Sequence, residues 1–383
     1  MFKVQKYSAF YSTLTAFALL GQIPREFDGS YSKSFLVVRS CVRLVGSVVV
    51  CIGPVMHYVM AIQDNIEVDI SENISIAFSA TGALLSCTLL SINYRKWLEF
   101  FADITNHKTF GKPSDYEDLV KRLNRLSAIY VWYCALSVPI YGATAHFDTI
   151  ECDSAALKKG FFCRSFTPIW LPIDASDMKL RVIIFAIQMV IGGIIVCTSA
   201  VVTFLTWEST EMLISHINHL KTNFGRISGD LSESERCDLL EFCIQYHNHI
   251  LRLANRLNGL IKHTSGHMSL MSAIIFAAIA NQISKSKSVG AMLYLVGYFW
   301  ALFFICHAGQ RIRDEIMSIG DAAYNSQWYA TDVKTMKNIR FVIARSQIQF
   351  HYEAIPMGVL DYPLFLAIIK TAYSYVTVLS QTT

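Results

Sequence analysis

Residues Val182 to Trp207 read VIIFAIQMVIGGIIVCTSAVVTFLTW, with no Asp, Glu, Lys or Arg among them. A helix of about 20 mostly apolar residues crosses the hydrocarbon of a bilayer, and this run is longer. Six further stretches read the same way: Phe35–Ile62, Ile74–Ile92, Ser127–His146, Met268–Ile283, Val289–Ala308 and Pro356–Leu379. Met268–Ile283 is short for a span. Composition agrees: the 383 residues are 53% hydrophobic and 16% charged, against roughly 25% charged in soluble domains. That is too little polar surface to face water all round. The expected fold class is an all-α integral membrane protein with seven transmembrane helices and lipid as a principal partner. Phe10–Leu20 is too short to span and lacks a small-residue cleavage site, so it is expected as a helix lying at the membrane surface.

Lys and Arg set the direction of the chain. With the N-terminus inside, about 25 basic residues fall on the cytoplasmic side and about 7 outside. Arg95, Lys96, Lys121, Arg122 and Arg125 follow the second span, and Arg311 and Arg313 follow the sixth. The loop between the first two spans has no Lys or Arg. The N-terminus is therefore expected in the cytoplasm and the C-terminus outside. The polar segments look helical: Met212, Leu213, Ile217 and Leu220 recur at helical spacing, as do Leu239, Leu240, Cys243, Ile250, Leu253 and Leu257. Gly225 to Asp230 breaks them, and Ser232 with Glu235 fits a capping box. The expected organisation is a cytoplasmic segment with the surface helix (1–34), spans one to four (35–207), and a cytoplasmic helical anchor (208–266). Spans five and six (267–310), a second cytoplasmic helical segment (311–355) and the last span with a short outer tail (356–383) follow. The cytoplasmic helices form one folded layer or a subunit-assembly domain.

The net charge of +4 is modest and no basic tract suggests nucleic acid. No Gly-x-x-x-x-Gly-Lys loop or acid–base constellation occurs, so neither ATP-driven transport nor an enzyme is expected, and no cofactor is implied. His216 with His219, and His247 with His249, are closely spaced, but no Cys or carboxylate completes a ligand set, which favours packing over metal. Cys41, Cys51, Cys87, Cys134, Cys197 and Cys306 sit in apolar runs as small core- or lipid-facing residues. Cys152 and Cys163 share one polar loop, where a disulfide is open. The sequon Asn73-Ile74-Ser75 falls outside but close to the membrane.

The most specific signal is C-terminal. Ala323-Tyr324-Asn325, Trp328-Tyr329 and Ala344-Arg345-Ser346-Gln347 precede an apolar span, which ends Lys370-Thr371-Ala372-Tyr373-Ser374-Tyr375-Val376-Thr377-Val378-Leu379. This order resembles the C-terminal signature of insect odorant receptors, most closely over about the last 70 residues. Gustatory receptors end instead in a Thr-Tyr and Gln-Phe pattern, where this chain has Ser374-Tyr375 and Gln381-Thr382. The resemblance implies a ligand-gated, non-selective cation channel in the plasma membrane of sensory neurons. It implies a heterotetramer with a shared odorant receptor co-receptor, in which this chain is the tuning subunit, because it lacks the co-receptor's longer loop between spans four and five. On that pattern the seventh helix lines the pore, through Thr371, Ser374, Val378, Gln381 and Thr382. The first three and Thr382 recur on one helical face, and a small apolar ring beside hydroxyls can gate by dewetting. A packing helix with small residues is the alternative.

The family's pocket for volatile ligands lies in the outer half of the bundle. Orientation then nominates Phe78, Thr81 and Gly82; Ser137 and Tyr141; Ile187, Gln188 and Ile191; Ile279 and Asn281; and Tyr294 and Tyr298. Aromatic walls with a few placed donors suit a small apolar odorant carrying one polar group, although Tyr is also a membrane-interface anchor. Two rivals remain: a gustatory receptor channel and, less favoured, a G-protein-coupled receptor. The latter has an extracellular N-terminus and motifs that are missing from spans three and seven here.

Overall fold

The computed structural model describes residues 8–23, 33–46, 51–66, 68, 70–146, 154–227, 230–286 and 288–381. They form twelve helices and two short hairpins: α1 Tyr11–Leu19, α2 Lys33–Gly46, α3 Gly53–Gln63, α4 Ile70–Ile92, α5 Tyr94–Ile104, α6 Tyr116–His146, α7 Ser154–Lys158, α8 Met178–Phe224, α9 Glu233–Ser286, α10 Val289–Asn325, α11 Val333–Ser346 and α12 Tyr362–Gln381. Strands β1 Phe161–Phe162 and β2 Ile169–Trp170 pair antiparallel, as do β3 Glu353–Ala354 and β4 Gly358–Val359.

Among the described residues, α4, α6, α8, α9 and α10 are long and apolar enough to cross a membrane. The first expected span is divided between α2 and α3, and residues 47–50 lie outside the description. Large apolar side chains on the periphery support lipid as solvent: Ile129, Trp132 and Leu136 on α6, and Ile183, Ile187 and Val190 on α8, are all exposed. In water such a belt would be a large apolar patch.

Helix α8 has 47 residues and α9 has 54. At 1.5 Å per residue they are about 70 and 80 Å long, over twice the hydrocarbon thickness. Each therefore carries one apolar end and one end beyond the bilayer. The turn between them is where the glycines predicted it, and α9 starts with the capping box. Glu235 N–H donates to Ser232 Oγ at 3.3 Å, and Ser232 N–H donates to Glu235 Oε2 at 3.0 Å. The ends beyond the bilayer pack with α5, α6 and α10 into the largest apolar core, which includes Trp97, Phe100, Phe101, Ile217, Phe224 and Tyr246.

Helix α1 is inserted into this core rather than laid along a lipid surface. Thr13, Leu14 and Phe17 are buried. The reason is polar as well as apolar. Asn124 of α6 accepts from Ser12 N–H at 2.9 Å and donates to Ser8 O at 2.9 Å. Thr13 donates to the buried carboxylate of Glu208 at 2.5 Å and shares a 2.8 Å hydrogen bond with Ser127.

Between α11 and α12 the chain returns through the β3–β4 hairpin onto α9. A side chain at Gly266 would overlap the Ile355 carbonyl, so only glycine lets the hairpin approach there. Helix α12 then packs on α9 and α10, with Ile368 and Ala372 buried against them.

Candidate ligand-binding cavity

A cavity of about 140 Å³ lies between α4, α6, α8 and α10. Helix α4 contributes Ile76, Ser79, Ala80 and Ala83, and α6 contributes the face Tyr130, Tyr133, Ser137 and Tyr141. Gly192, Ile195, Val196, Ser199 and Ala200 come from α8, and Leu293, Tyr294, Gly297 and Tyr298 from α10. Phe166 and Thr167, from the loop joining β1 and β2, cover one side, and Met268 is the contribution of α9. No charged side chain lines it among the described residues.

The walls are aromatic and mutually braced. Tyr141 meets Phe166 edge to face at 5.6 Å and Tyr294 at 6.2 Å, and Tyr294 meets Tyr298 at 6.4 Å. Their hydroxyls are tied down. Tyr133 donates to Leu293 O at 2.7 Å, Tyr141 to Glu72 Oε1 at 3.2 Å, and Tyr294 to Ser79 Oγ. Gly192 gives Phe166 its place: a Cβ on Gly192 would stand 2.6 Å from the Phe166 ring.

Gln188 fixes the loop over the cavity. Its Oε1 accepts from Phe166 N–H at 3.0 Å, and its Nε2 donates to Thr167 O and to Thr167 Oγ1, both at 2.9 Å. The side chain is fully buried. The loop carries Cys163, which is disulfide-bonded. Eight other cysteines are free, and Cys152 lies outside the described residues.

The sequence-nominated residues therefore divide. Ser137, Tyr141, Tyr294 and Tyr298 line the cavity. Gln188 stands behind it as the loop's anchor. Asn281 donates to Ser71 Oγ at 2.6 Å, and Gly82 O accepts from His267 Nε2 at 2.9 Å. Ile191 packs with Ile76, Ala80, Ala83 and Ile195, and Ile279 with Ile275 and Ala291. Phe78 and Ile187 are exposed apolar residues, and Thr81 returns its hydroxyl to Ala77 O at 2.7 Å. Asn73, the sequon residue, is buried and faces His57 Nδ1 at 3.2 Å.

A family model described as 7tm Odorant receptor matches residues 67–373. This chain belongs to the odorant receptor family. Odorant receptor 67c of Drosophila melanogaster is 22% identical over 294 residues, 72% of this chain and 70% of that one. Odorant receptor Or2 of Anopheles gambiae is 22% identical over 330 residues, 78% of this chain and 80% of its own. Among solved structures, the insect olfactory receptor OR5 from Machilis hrabei superposes with a TM-score of 0.78 at 14% identity, covering 99% of this chain and all of that one. Its complex with eugenol superposes with a TM-score of 0.73 at 15% identity, with the same coverage. The chain is thus a multi-pass membrane protein of the insect odorant receptor fold.

Sequence reading of this odorant receptor passed over Tyr130, Tyr133, Phe166, Thr167 and Ser199. A signal existed for the first two. Tyr130, Tyr133, Ser137 and Tyr141 follow the three- and four-residue rhythm of one helical face. Phe166 and Thr167 carry no such signal, because a loop is placed by its long-range partner.

On α12, Thr371 and Ser374 are exposed, whereas Ile368 and Ala372 are buried. Their hydroxyls donate back to Ala367 O at 2.8 Å and Lys370 O at 3.0 Å. Lys370 is exposed. The side chains of Val378 and Gln381, and all of Thr382, lie outside the described residues. The spaced histidines His216 and His219 sit in the core around Tyr246, away from the cavity. His216 joins Tyr246 Oη at 2.7 Å and Ile104 O at 2.8 Å, and His219 contacts Phe110 O at 3.2 Å.

Proposed function

We propose that this odorant receptor is the tuning subunit of an odorant-gated, non-selective cation channel in sensory-neuron plasma membrane, assembled with a co-receptor as a heterotetramer. The observation that carries the ligand side is the uncharged, aromatic-walled cavity between α4, α6, α8 and α10. Such a site suits a small, largely apolar molecule. The solved relative in complex with eugenol, a molecule of that kind, has the same fold.

Seven spans are completed by α2–α3 and α12, with the N-terminus inside by the Lys and Arg bias. The pore reading rests on α12, whose hydroxyls at Thr371 and Ser374 are exposed rather than packed in their own bundle; the family pattern adds Val378, Gln381 and Thr382. Assembly follows from the inner helices. Tyr324, Tyr329 and Phe341 are 63%, 69% and 75% exposed on α10, α11 and the turn between them. This apolar surface, at the end away from the cavity, fits contact with another subunit.

The test is whole-cell current from cells expressing this chain with and without an odorant co-receptor, G-protein signalling blocked, across a panel of volatiles. The expected result is a fast cation current that needs both subunits. Current that disappears with the G-protein block would refute the channel reading. Current from this chain alone would remove the obligate partner.

A further inference from the structure

One charged side chain stands at membrane depth with nothing in its own chain to neutralise it. The apolar run of α12 is interrupted at Lys370, which is exposed. At 1.5 Å per residue it lies about 12 Å from Tyr362 and about 16 Å from Gln381, near the middle of the helix. A lysine stem is too short to carry the ammonium to either end, so it does not snorkel out. Helix α12 contains no Asp or Glu. It packs on α9 and α10, and the apolar parts of those helices, Met268–Ile283 and Val289–Ala308, contain none either. Among the described residues the ammonium has no hydrogen bond or ion pair.

A charge at that depth is excluded from lipid and needs either water or a counter-charge. Its direction favours water. At about 100° per residue, Lys370 stands about 160° from both Ile368 and Ala372, the α12 residues buried against the bundle. It therefore points straight away from its own subunit. Ser374 and Thr377 follow at four and seven residues, so the ammonium and two hydroxyls share one stripe of the helix. A stripe of that composition suits a hydrated path rather than an acyl chain.

We propose that Lys370 projects into the conduction path as a fixed positive charge that lowers calcium permeation relative to sodium. This rests on the reading that α12 lines a cation pore. A permeant ion feels the potential of the lysine in proportion to its own charge, so a potential that halves sodium flux cuts calcium flux to about a quarter. A unit charge about 8 Å away in water, partly screened by salt, has about that effect. Lys370 is then a selectivity residue that this subunit brings to the shared pore.

The probes are the two ions and a pair of thiol reagents. Cells expressing the full chain with the co-receptor would be bathed in sodium or in calcium as the sole external cation, reading the reversal potential of the volatile-evoked current. Lys370→Gln is expected to raise the calcium-to-sodium permeability ratio about twofold, and Lys370→Arg to leave it as in wild type. Lys370→Cys allows the charge to be put back from water. A methanethiosulfonate carrying a trimethylammonium group should return the ratio to that of wild type, and one carrying a sulfonate should raise it beyond Lys370→Gln, with neither reagent affecting wild type. A ratio unchanged or lowered in Lys370→Gln, or a Lys370→Cys current indifferent to both reagents, would overturn the inference. So would current lost in Lys370→Gln but kept in Lys370→Arg, the result expected of a lysine held by a carboxylate of a neighbouring subunit. All three leave the channel reading intact. Absence of volatile-evoked current from wild type would instead remove the channel reading, and this inference with it.

Discussion

Around Tyr246, in the half of the bundle away from the cavity (called the inner half), every direction is filled. Its ring lies flat on Phe110 at 4.6 Å, its hydroxyl meets His216 Nδ1 at 2.7 Å, and none of it reaches the surface. Around Tyr294, in the half that holds the cavity (the outer half), the ring borders open space, and Gln188 supplies the hydrogen bonds that hold the neighbouring loop over it. The two halves share α6, α8, α9 and α10. The inner half is closed by redundancy. Glu211 pairs with Arg311 at 2.8 Å and Arg122 at 3.8 Å, and Lys221 pairs with Glu315 at 2.7 Å, cross-linking α6, α8 and α10. The outer half is cross-linked by hydroxyls and amides, Tyr133 to Leu293 O, Tyr141 to Glu72, Tyr294 to Ser79 and Asn281 to Ser71, and has an unfilled centre. A ligand can only bias an arrangement that has an alternative. The contrast therefore places adaptability outside and fixed assembly inside.

The largest effect is expected where packing is redundant. Tyr246→Ala removes a buried ring and leaves His216 without its partner. Aromatic-to-Ala changes in cores cost about 3–5 kcal/mol. His216 Nε2–H donates to Ile104 O at 2.8 Å, so Nδ1 is the acceptor of the Tyr246 proton. The variant should show a sharply lowered melting midpoint in detergent and little surface expression. A midpoint near wild type would mean that the inner core is looser than its contacts indicate.

Gln188→Leu tests the other half. It keeps the volume but orphans Phe166 N–H, a buried group worth roughly 1–3 kcal/mol if unpaired, and leaves Thr167 O with Ser165 Oγ at 2.8 Å as its donor. The loss is local, because only the β1–β2 loop depends on it. Amide hydrogen exchange over residues 161–170 should accelerate while residues 240–261 of α9 stay protected, and affinity for a cavity ligand should fall about tenfold. Equal acceleration in both regions would erase the distinction between the halves.

How legible was this from sequence? Apolar run length marked α4, α6, α8, α9 and α10, which are long and apolar enough to cross a membrane, and the break at Gly225–Asp230 with its capping box separated α8 from α9, since both are local effects. Polar residues inside spans were the harder case. Gln188 and Asn281 read as handles for a ligand, because an amide in a low-dielectric layer needs a partner. The structure supplies partners from within, Thr167 and Phe166 for one and Ser71 for the other. Which partner satisfies a buried amide is a long-range fact that no spacing carries. The same holds for α1. Its insertion depends on Asn124 and Glu208, more than 100 residues away.

Glu208 gives the smallest expected effect and the finest test of the inner half. Burial pushes its carboxyl up to about 7, against the lowering hydrogen bonds from the Thr13 hydroxyl and the Phe10 backbone. The folded chain then keeps a proton that the unfolded chain releases from about pH 4.5 upward, so stability falls as pH rises toward 7. Burial pushes His216 and His247 the other way, down to about 4 from 6.5. Their contribution is complete above pH 6.5 and is lost as pH falls toward 4. Below pH 6.5 the slopes oppose each other, and two histidines outweigh one carboxyl. Just above pH 6.5 the two histidines are neutral in both states, while Glu208 still titrates. Wild type should therefore have its highest melting midpoint near pH 6.5, with a shallow fall on the alkaline side. Glu208→Gln keeps an acceptor for Thr13 but has no proton to lose. It should abolish the alkaline fall and steepen the acid one, with α1 still docked. If the alkaline fall persists in Glu208→Gln, the carboxyl is not what links α1 to pH, and the inner half owes its docking to Asn124 and Ser127.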